Sequence, residues 1–272
     1  MAYTYDLKVV VSGKQVELYK YKKNVWREYE SNKEETITKK AKQLDMFEQE
    51  KIRKQRVQFS INRTKTEIRR LVNSNPQLNK FMTLTFAKST TDLKEANYIF
   101  NQFIKRITYR YPDFEYLAVP EFQKDEDHWG RKKEHGGSVH YHLLCNLPYI
   151  ENNVLEWLWK QGMVNIRQIG KVNNLGAYMS KYLGKELFTG RMFGKKKFFR
   201  SQNLSEAIEI LGWYAQKFIE KFLSLLTPVF EKTFQSEWMG EVDYKAYSLD
   251  FIPFKTGFFD RLILYDTPIN LN

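Results

Sequence analysis

The first part of the chain alternates apolar and polar residues and then changes to a helical period. Two alternating runs within residues 6–21 flank Ser12-Gly13-Lys14, a pattern typical of a β-hairpin. Residues 45–75 instead repeat apolar side chains close to the helical period of about 3.6 residues, at Val57, Ile61, Ile68 and Val72. The pattern ends at Asn75-Pro76, where a proline stops a helix. We therefore predict a hairpin followed by one long helix.

From residue 81 onward, short β-type runs alternate with amphipathic helical runs. Strands are predicted at residues 81–87, 114–122, 138–147 and 163–169, and helices at 91–112, 151–162 and 173–187. A polar turn over residues 123–137 joins the second strand to the third. The order β-α-β-β-α-β-α predicts an α+β fold of the split βαβ type, with a mainly antiparallel central sheet and flanking helices.

The last part of the chain is apolar and rich in aromatic residues. Residues 205–226 predict one apolar helix, with a stripe formed by Leu211, Tyr214, Phe218, Phe222 and Leu225. Residues 240–265 have β character. The whole pattern predicts three domains: residues 1–79 with the hairpin and the helical arm, residues 80–205 with the α+β domain, and residues 206–272 as a helical and aromatic extension.

Charge and composition narrow the class of partner. The 272 residues carry a formal net charge of +12, and the sequence pI is about 9.4. Such a balance favours a polyanion, with nucleic acid ahead of an anionic membrane surface. Cys145 is the only cysteine, so no intrachain disulfide can form and a reducing compartment is expected. No signal-peptide pattern and no run of about 20 apolar residues is seen, so we predict a cytoplasmic protein without a membrane span.

Two clusters of basic residues are candidates for contacts with DNA. The helix over residues 45–75 carries a long run of one sign, in which Arg53, Lys54, Arg56, Arg63, Lys65, Arg69 and Arg70 are the candidate phosphate contacts. A later loop interleaves its cations with aromatic side chains and contributes Lys195, Lys196, Lys197 and Arg200. The alternative for both clusters is a solvated surface without a ligand.

Two histidines one residue apart in a predicted strand are the strongest chemical signal. His140 and His142 project from the same face of the strand, while Tyr141 points into the opposite packing. Glu121 ends the preceding strand, which should pair with the histidine strand as a hairpin. Two imidazoles and a carboxylate leave coordination positions open, which suits Mg²⁺ or Mn²⁺. The alternatives are two hydrogen-bonded structural histidines, or a zinc site that also recruits His128 and His135.

Two tyrosines in the helix at 173–187 are candidate nucleophiles. Tyr178 and Tyr182 are four residues apart and share a helix face, as do Lys181 and Lys185. A phenol is a weak nucleophile unless a cation helps it, and a bound divalent metal with a nearby lysine would supply that help. An ordinary amphipathic helix with two packed tyrosines is the alternative.

The three patterns occur in an order that resembles a known superfamily. "FMTLTF", "HYH" and "AYMSKYLGK" resemble the motifs of HUH endonucleases, and more narrowly those of the rolling-circle replication initiators of phages and small plasmids. Both tyrosines fit the tyrosine motif, since each is followed three residues later by a lysine. Two overlapping copies resemble the two-tyrosine initiators. The resemblance covers roughly residues 80–205, and the middle residue of the His pair, Tyr141, is only partly hydrophobic.

The resemblance implies an origin nickase and names its partners. A tyrosine would attack the scissile phosphate of single-stranded origin DNA, leaving a 5′-phosphotyrosine and a free 3′-OH that primes synthesis. The metal would be held by His140, His142 and Glu121. Origin DNA, a host helicase and a polymerase are the expected partners, in the cytoplasm of a bacterial host. Two alternatives remain: a conjugative relaxase or single-strand transposase with the same chemistry, and a DNA-binding copy-control protein without catalysis.

Overall fold

The protein forms two compact units in a computed structural model. The first unit combines Met1–Gln43 with Glu206–Asn272, and the second is Leu44–Ser205. The structure describes residues 2–28, 46–125, 129, 131–132, 136–169, 175–177, 195–236 and 239–250.

The regular elements are numbered along the chain. In order they are β1 (Ala2–Ser12), β2 (Gln15–Glu28), α1 (Met46–Ser74), β3 (Lys80–Thr85), α2 (Leu93–Arg110), β4 (Tyr116–Phe122), β5 (Val139–Cys145), α3 (Asn152–Trp159), β6 (Val164–Gln168), β7 (Phe199–Arg200), β8 (Ile208–Leu211), α4 (Gly212–Phe218), β9 (Phe230–Ser236) and β10 (Gly240–Ser248). A π-helical segment, Ile219–Leu223, continues directly from α4.

The second unit is built on an antiparallel sheet of five strands in the order β6-β3-β5-β4-β7. Strands β3 and β4 run parallel to each other, are joined through α2, and have β5 between them, which is the split βαβ arrangement. Strands and helices lie within a few residues of their predicted positions. The predicted α+β fold with a mainly antiparallel sheet and flanking helices is confirmed.

One face of this sheet carries the main apolar core. Side chains at alternate positions of β5, including Tyr141 and Leu143, meet the buried stripe of α2, in which Phe100 and Phe103 have no exposed surface. Trp159 of α3 closes the layer and donates its indole N–H to the carbonyl oxygen of Thr85 at 2.9 Å. Asp92 caps α2 by accepting the backbone N–H of Lys94 at 2.9 Å. This face is an ordinary hydrophobic core.

The opposite face is covered only in part, by the second half of α1. Ile68, Leu71 and Val72 of α1 pack on Leu117, Val119 and Leu144 of β4 and β5. The apolar repeat predicted for α1 is therefore confirmed at Ile61, Ile68 and Val72, which are all buried, while Val57 is half-buried. On β5 this face continues from Leu144 to His142 and then to His140 because alternate residues share a face.

The first unit contains a second antiparallel sheet of five strands in the order β8-β1-β2-β10-β9. The predicted hairpin is confirmed, with Gly13 at φ +57° in the turn. It pairs with strands from the end of the chain, so the described part of the hairpin lies in a different unit from α1, although the sequence grouped the two in one segment. The first unit thus joins distant parts of the chain through strand pairing.

The prediction of a single helix over residues 205–226 is wrong. Residues 208–211 form strand β8, which pairs with β1 and buries Ile210 beside Val9. The helix begins only at Gly212, where φ is +54°. Alternating Ile208-Glu209-Ile210 fits an edge strand, and the edge of β1 provides the hydrogen bonds that a local helix would otherwise make. Leu225, assigned to the buried stripe, is 97% exposed.

The β character predicted for residues 240–265 is confirmed for β10, and the residues beyond Asp250 lie outside the described part of the chain. No helix in the described ranges has the length and apolarity needed to cross a bilayer.

Candidate functional site

The two histidines and Glu121 lie on the same face of the second unit's sheet. In the β4–β5 hairpin, Glu121 is paired with His140, and Val119 is paired with His142. Residues that are directly paired across an antiparallel sheet point to the same side, so the hairpin predicted from the sequence brings the three side chains together. Tyr141 points to the other side, stacks on Phe100 with ring centroids 4.3 Å apart, and is fully buried. The alternation of the strand is as expected.

Contacts on this face fix the orientation of the His142 ring. Its Nε2 contacts the Glu121 carboxylate, and its Nδ1 lies 3.1 Å from the hydroxyl of Thr83, its partner on β3. A carboxylate can only accept, so Nε2 carries the proton in this arrangement and Nδ1 accepts from Thr83. The ring is also stacked on Phe81, with centroids 5.5 Å apart and planes 11° from parallel. His142 is thus held from two edges and one face.

The donor types at this site fit Mg²⁺ or Mn²⁺, but the described residues are not arranged around an ion. Among the ranges that the structure describes, no group of three His, Cys, Asp or Glu side chains has a geometry that could hold a metal. Glu121 and His142 contact each other directly, and His140 stands opposite Glu121. A cation would have to enter between the carboxylate and the imidazole, and the chemistry of one carboxylate and two imidazoles permits this. His128 and His135, the extra ligands of the zinc alternative, lie outside the described residues.

The predicted nucleophiles follow a short helical segment that is docked on the same face. Tyr178, Lys181, Tyr182 and Lys185 lie outside the described residues. Residues 175–177, immediately before Tyr178, are helical. Leu175 packs against the apolar cluster that α1 forms on the histidine face, and the backbone N–H of Gly176 donates to Oδ1 of Asn73 at 2.8 Å. The start of the tyrosine segment therefore lies against α1.

The basic residues of α1 form two rows that flank its buried stripe. The stripe contains Ile61, Thr64 and Ile68, and at about 100° per residue the cations lie to either side of it. One row is Arg53, Arg56, Arg63 and Arg70, and the other is Lys54, Lys65 and Arg69. Arg53, Lys54, Arg56 and Arg63 are exposed, whereas Lys65, Arg69 and Arg70 are half-buried.

Glu50 offsets part of the charge at the start of the helix. It lies 3.7 Å from Arg53 and 3.7 Å from Lys54. Both are exposed ion pairs, which are weak and can yield to phosphate.

The second basic cluster lies next to α1. The ammonium group of Lys197 contacts the hydroxyl of Ser60 on α1, and burial there lowers the pKa of Lys197. Lys196 stands over the ring of Phe199 at 4.8 Å, and Lys195 is exposed. Arg200 is paired with Leu117, which places it on the histidine face of the sheet. The structure thus brings together two clusters that are distant in the sequence.

Sequence reasoning missed three residues that contact these elements. Thr83 and Phe81 lie in the first β motif, and alternation along β3 could have placed them on the histidine face, since Met82 and Leu84 are the apolar positions between. Asn73 had no signal in the sequence. Its role depends on a contact with Gly176, which is more than one hundred residues away along the chain.

Comparison with protein families adds an independent observation. Residues 79–187 match the family model for the replication-associated protein ORF2, a stretch that is less than half of the chain. The match includes β3, Glu121, both histidines and the segment with the two tyrosines. The similarity is consistent with a replication initiator. Searches of curated proteins and of solved structures gave no significant match.

Proposed function

We propose that the protein is a replication initiator that nicks single-stranded origin DNA through a tyrosine. The observation that carries the proposal is the shared sheet face. His140, His142 and Glu121 lie on it, and the chain enters the tyrosine segment at Gly176, docked on the helix that covers part of this face. The family match over residues 79–187 supports the same class of activity.

The residues of the chain suggest how the reaction would proceed. The phenolate oxygen of Tyr178 or Tyr182 attacks the scissile phosphorus in line, and the bond from phosphorus to the 3′-oxygen breaks. The 3′-oxygen leaves, takes up a proton and becomes the free 3′-OH, while the phosphate remains a diester on the tyrosine. The free energy of the broken bond is kept in this diester, so a second strand can later be joined without ATP.

A bound divalent cation would supply Lewis acidity at the scissile phosphate, and His140, His142 and Glu121 are the residues that would hold it. Lys181 and Lys185 would stabilise the phenolate or the phosphate. The contacts of Thr83 and Phe81 with His142 would keep its imidazole aimed at the carboxylate, and a fixed orientation of a metal-binding imidazole raises its affinity.

The DNA would follow the two basic clusters. The two rows on α1 and the loop at Lys195–Lys197 contact each other through Lys197 and Ser60. Exposed cations of this kind bind phosphates without reading the sequence, so the affinity should fall steeply with salt concentration. Lys196 over Phe199 places a cation next to an aromatic ring at the edge of the sheet.

The decisive experiment looks for the covalent adduct and its polarity. A library of single-stranded oligonucleotides with a randomised centre is labelled at either end and incubated with the protein and Mn²⁺. A 5′-phosphotyrosine predicts that only the 3′-labelled DNA migrates with the protein on a denaturing gel. The adduct should disappear in the double variant Tyr178→Phe with Tyr182→Phe, and Tyr109→Phe is the matched control because Tyr109 is 92% exposed on α2.

The variant His140→Ala separates the metal site from DNA binding. It should abolish the adduct and leave the affinity for single-stranded DNA within about twofold. Binding of DNA by the wild-type protein with no adduct on any library member would favour the copy-control alternative. An adduct that survives in the double tyrosine variant would contradict the assignment of the nucleophiles.

A further inference from the structure

One contact between distant parts of the chain joins α1 to the start of the tyrosine segment. The side-chain oxygen of Asn73, in the last turn of α1, accepts the backbone N–H of Gly176 at 2.8 Å. Gly176 lies two residues before Tyr178. The first N–H groups of a helix have no partner within the helix itself, and residues 175–177 are helical, so Asn73 supplies a capping acceptor from another helix.

The close approach of the two backbones depends on the absence of a side chain at Gly176. A Cβ atom there would lie 2.3 Å from the carbonyl oxygen of Arg69 and 2.5 Å from Oδ1 of Asn73. The carbonyl of Arg69 belongs to the body of α1 and cannot turn away as a flexible side chain can. Leu175 adds apolar contact with the cluster around Ile68. The docking is therefore tight and specific.

The same stretch of α1 carries two of the candidate phosphate contacts. Arg69 and Arg70 precede Asn73 by about one helical turn or less, and their backbone is part of the surface on which Gly176 rests. Any strand held by these arginines would thus be registered against the element that fixes the start of the tyrosine segment. Small displacements of a nucleophile from the line of attack reduce rates steeply.

Resting on the proposed nickase function, we infer that Asn73 is a positioning residue that holds the tyrosine segment in register with the DNA-binding helix. Asn73 acts through Gly176 and does not touch the reacting atoms. Its removal should therefore slow the attack of the tyrosine without weakening the binding of DNA.

Two substitutions at Asn73 separate capping from size. Asn73→Leu keeps the approximate volume and removes the acceptor, and it should lower the single-turnover rate of adduct formation about 10- to 100-fold while the Kd for single-stranded DNA stays within about twofold. Asn73→Asp keeps an acceptor and adds a charge that favours a helix N-terminus, so it should restore most of the rate. Asn62→Leu is the matched control, since Asn62 is an exposed residue of the same helix.

The glycine gives an independent variant. Gly176→Ala should produce a rate loss like that of Asn73→Leu because the methyl group forces the segment away from the Arg69 carbonyl. An unchanged rate in Asn73→Leu, or an equal loss in Asn73→Asp and Asn73→Leu, would overturn the inference.

Amide hydrogen exchange keeps this test separate from the test of function. In Asn73→Leu the amide of Gly176 should exchange at least about tenfold faster than in the wild type, with α1 unchanged, whether or not the protein nicks DNA. If the wild type forms no adduct, the proposed function fails, and the exchange of Gly176 still decides whether Asn73 holds the segment. Unchanged exchange at Gly176 would contradict the positioning role directly.

Discussion

The two faces of the sheet in the second unit differ in what their side chains do, although the same strands build both. On one face Tyr141, Leu143 and Met82 are fully buried under α2 and α3. On the other, His142 and Glu121 keep 20% and 34% of their side-chain surface exposed and make polar contacts. A strand places consecutive residues on opposite sides, so one short stretch can anchor the core and present the site. Substitutions on the two faces should therefore separate stability from activity.

The largest expected effect is on the apolar face. Phe100→Ala removes a fully buried ring that stacks on Tyr141, and such truncations cost about 3–5 kcal/mol. Cys145 lies in β5 and is the only cysteine, so its alkylation under native conditions reports opening of this sheet. The alkylation rate should rise at least about 100-fold, in line with that loss of free energy. Tyr98→Ala on the same helix, at a position 66% exposed, should leave the rate nearly unchanged.

On the polar face, a single hydroxyl should matter for activity and little for stability. Thr83→Val removes the partner of His142 Nδ1 with almost no change of volume, and loss of such a supporting contact reduces metal affinity or activity about 10- to 100-fold. Calorimetric titration with Mn²⁺ and the rate of adduct formation would measure the two effects. Thr83→Ser keeps the hydroxyl and should recover most of both. A Thr83→Val protein with wild-type Mn²⁺ affinity would show that the hydroxyl does not support a metal site.

The smallest effect is a dependence of stability on pH that arises on the apolar face. Burial raises the pKa of the Cys145 thiol to about 11, above its value in the unfolded chain. The folded state therefore holds the proton more tightly, so this contribution is complete below a pH of about 8.5 and is lost as the pH rises toward about 11. Between pH of about 8.5 and about 9.5, the free energy of unfolding should fall by about 1 kcal/mol from this group.

Denaturant unfolding of the wild type and of Cys145→Ala at several pH values would measure this term as the difference between the two slopes. Identical slopes would mean that the thiol ionises equally well in both states. Burial also raises the pKa of Tyr141, so the wild type and the variant should both lose further stability above a pH of about 10.

The sequence predicted the second unit well because its signals are local. Alternation located β3 to β6, the helical period located α1, α2 and α3, and the order of elements indicated the split βαβ arrangement. The pairing of Glu121 with His140 followed from a hairpin, in which neighbouring strands pair by default. Prediction failed at residues 208–211, where an apolar run of helical appearance forms a strand, because the open edge of β1 outweighs local preference.

The sequence by itself determined which residue types carry the chemistry: the two histidines on one strand face, the carboxylate before them, the two tyrosines and the basic helix. Only the tertiary structure decided how some of these are oriented. It placed Thr83 and Phe81 against His142, brought Lys197 to α1 and set Gly176 against Asn73. The reason is physical. Periodicity along a chain fixes the direction in which a side chain points, whereas contacts between distant segments depend on the packing of whole elements, which no local pattern encodes.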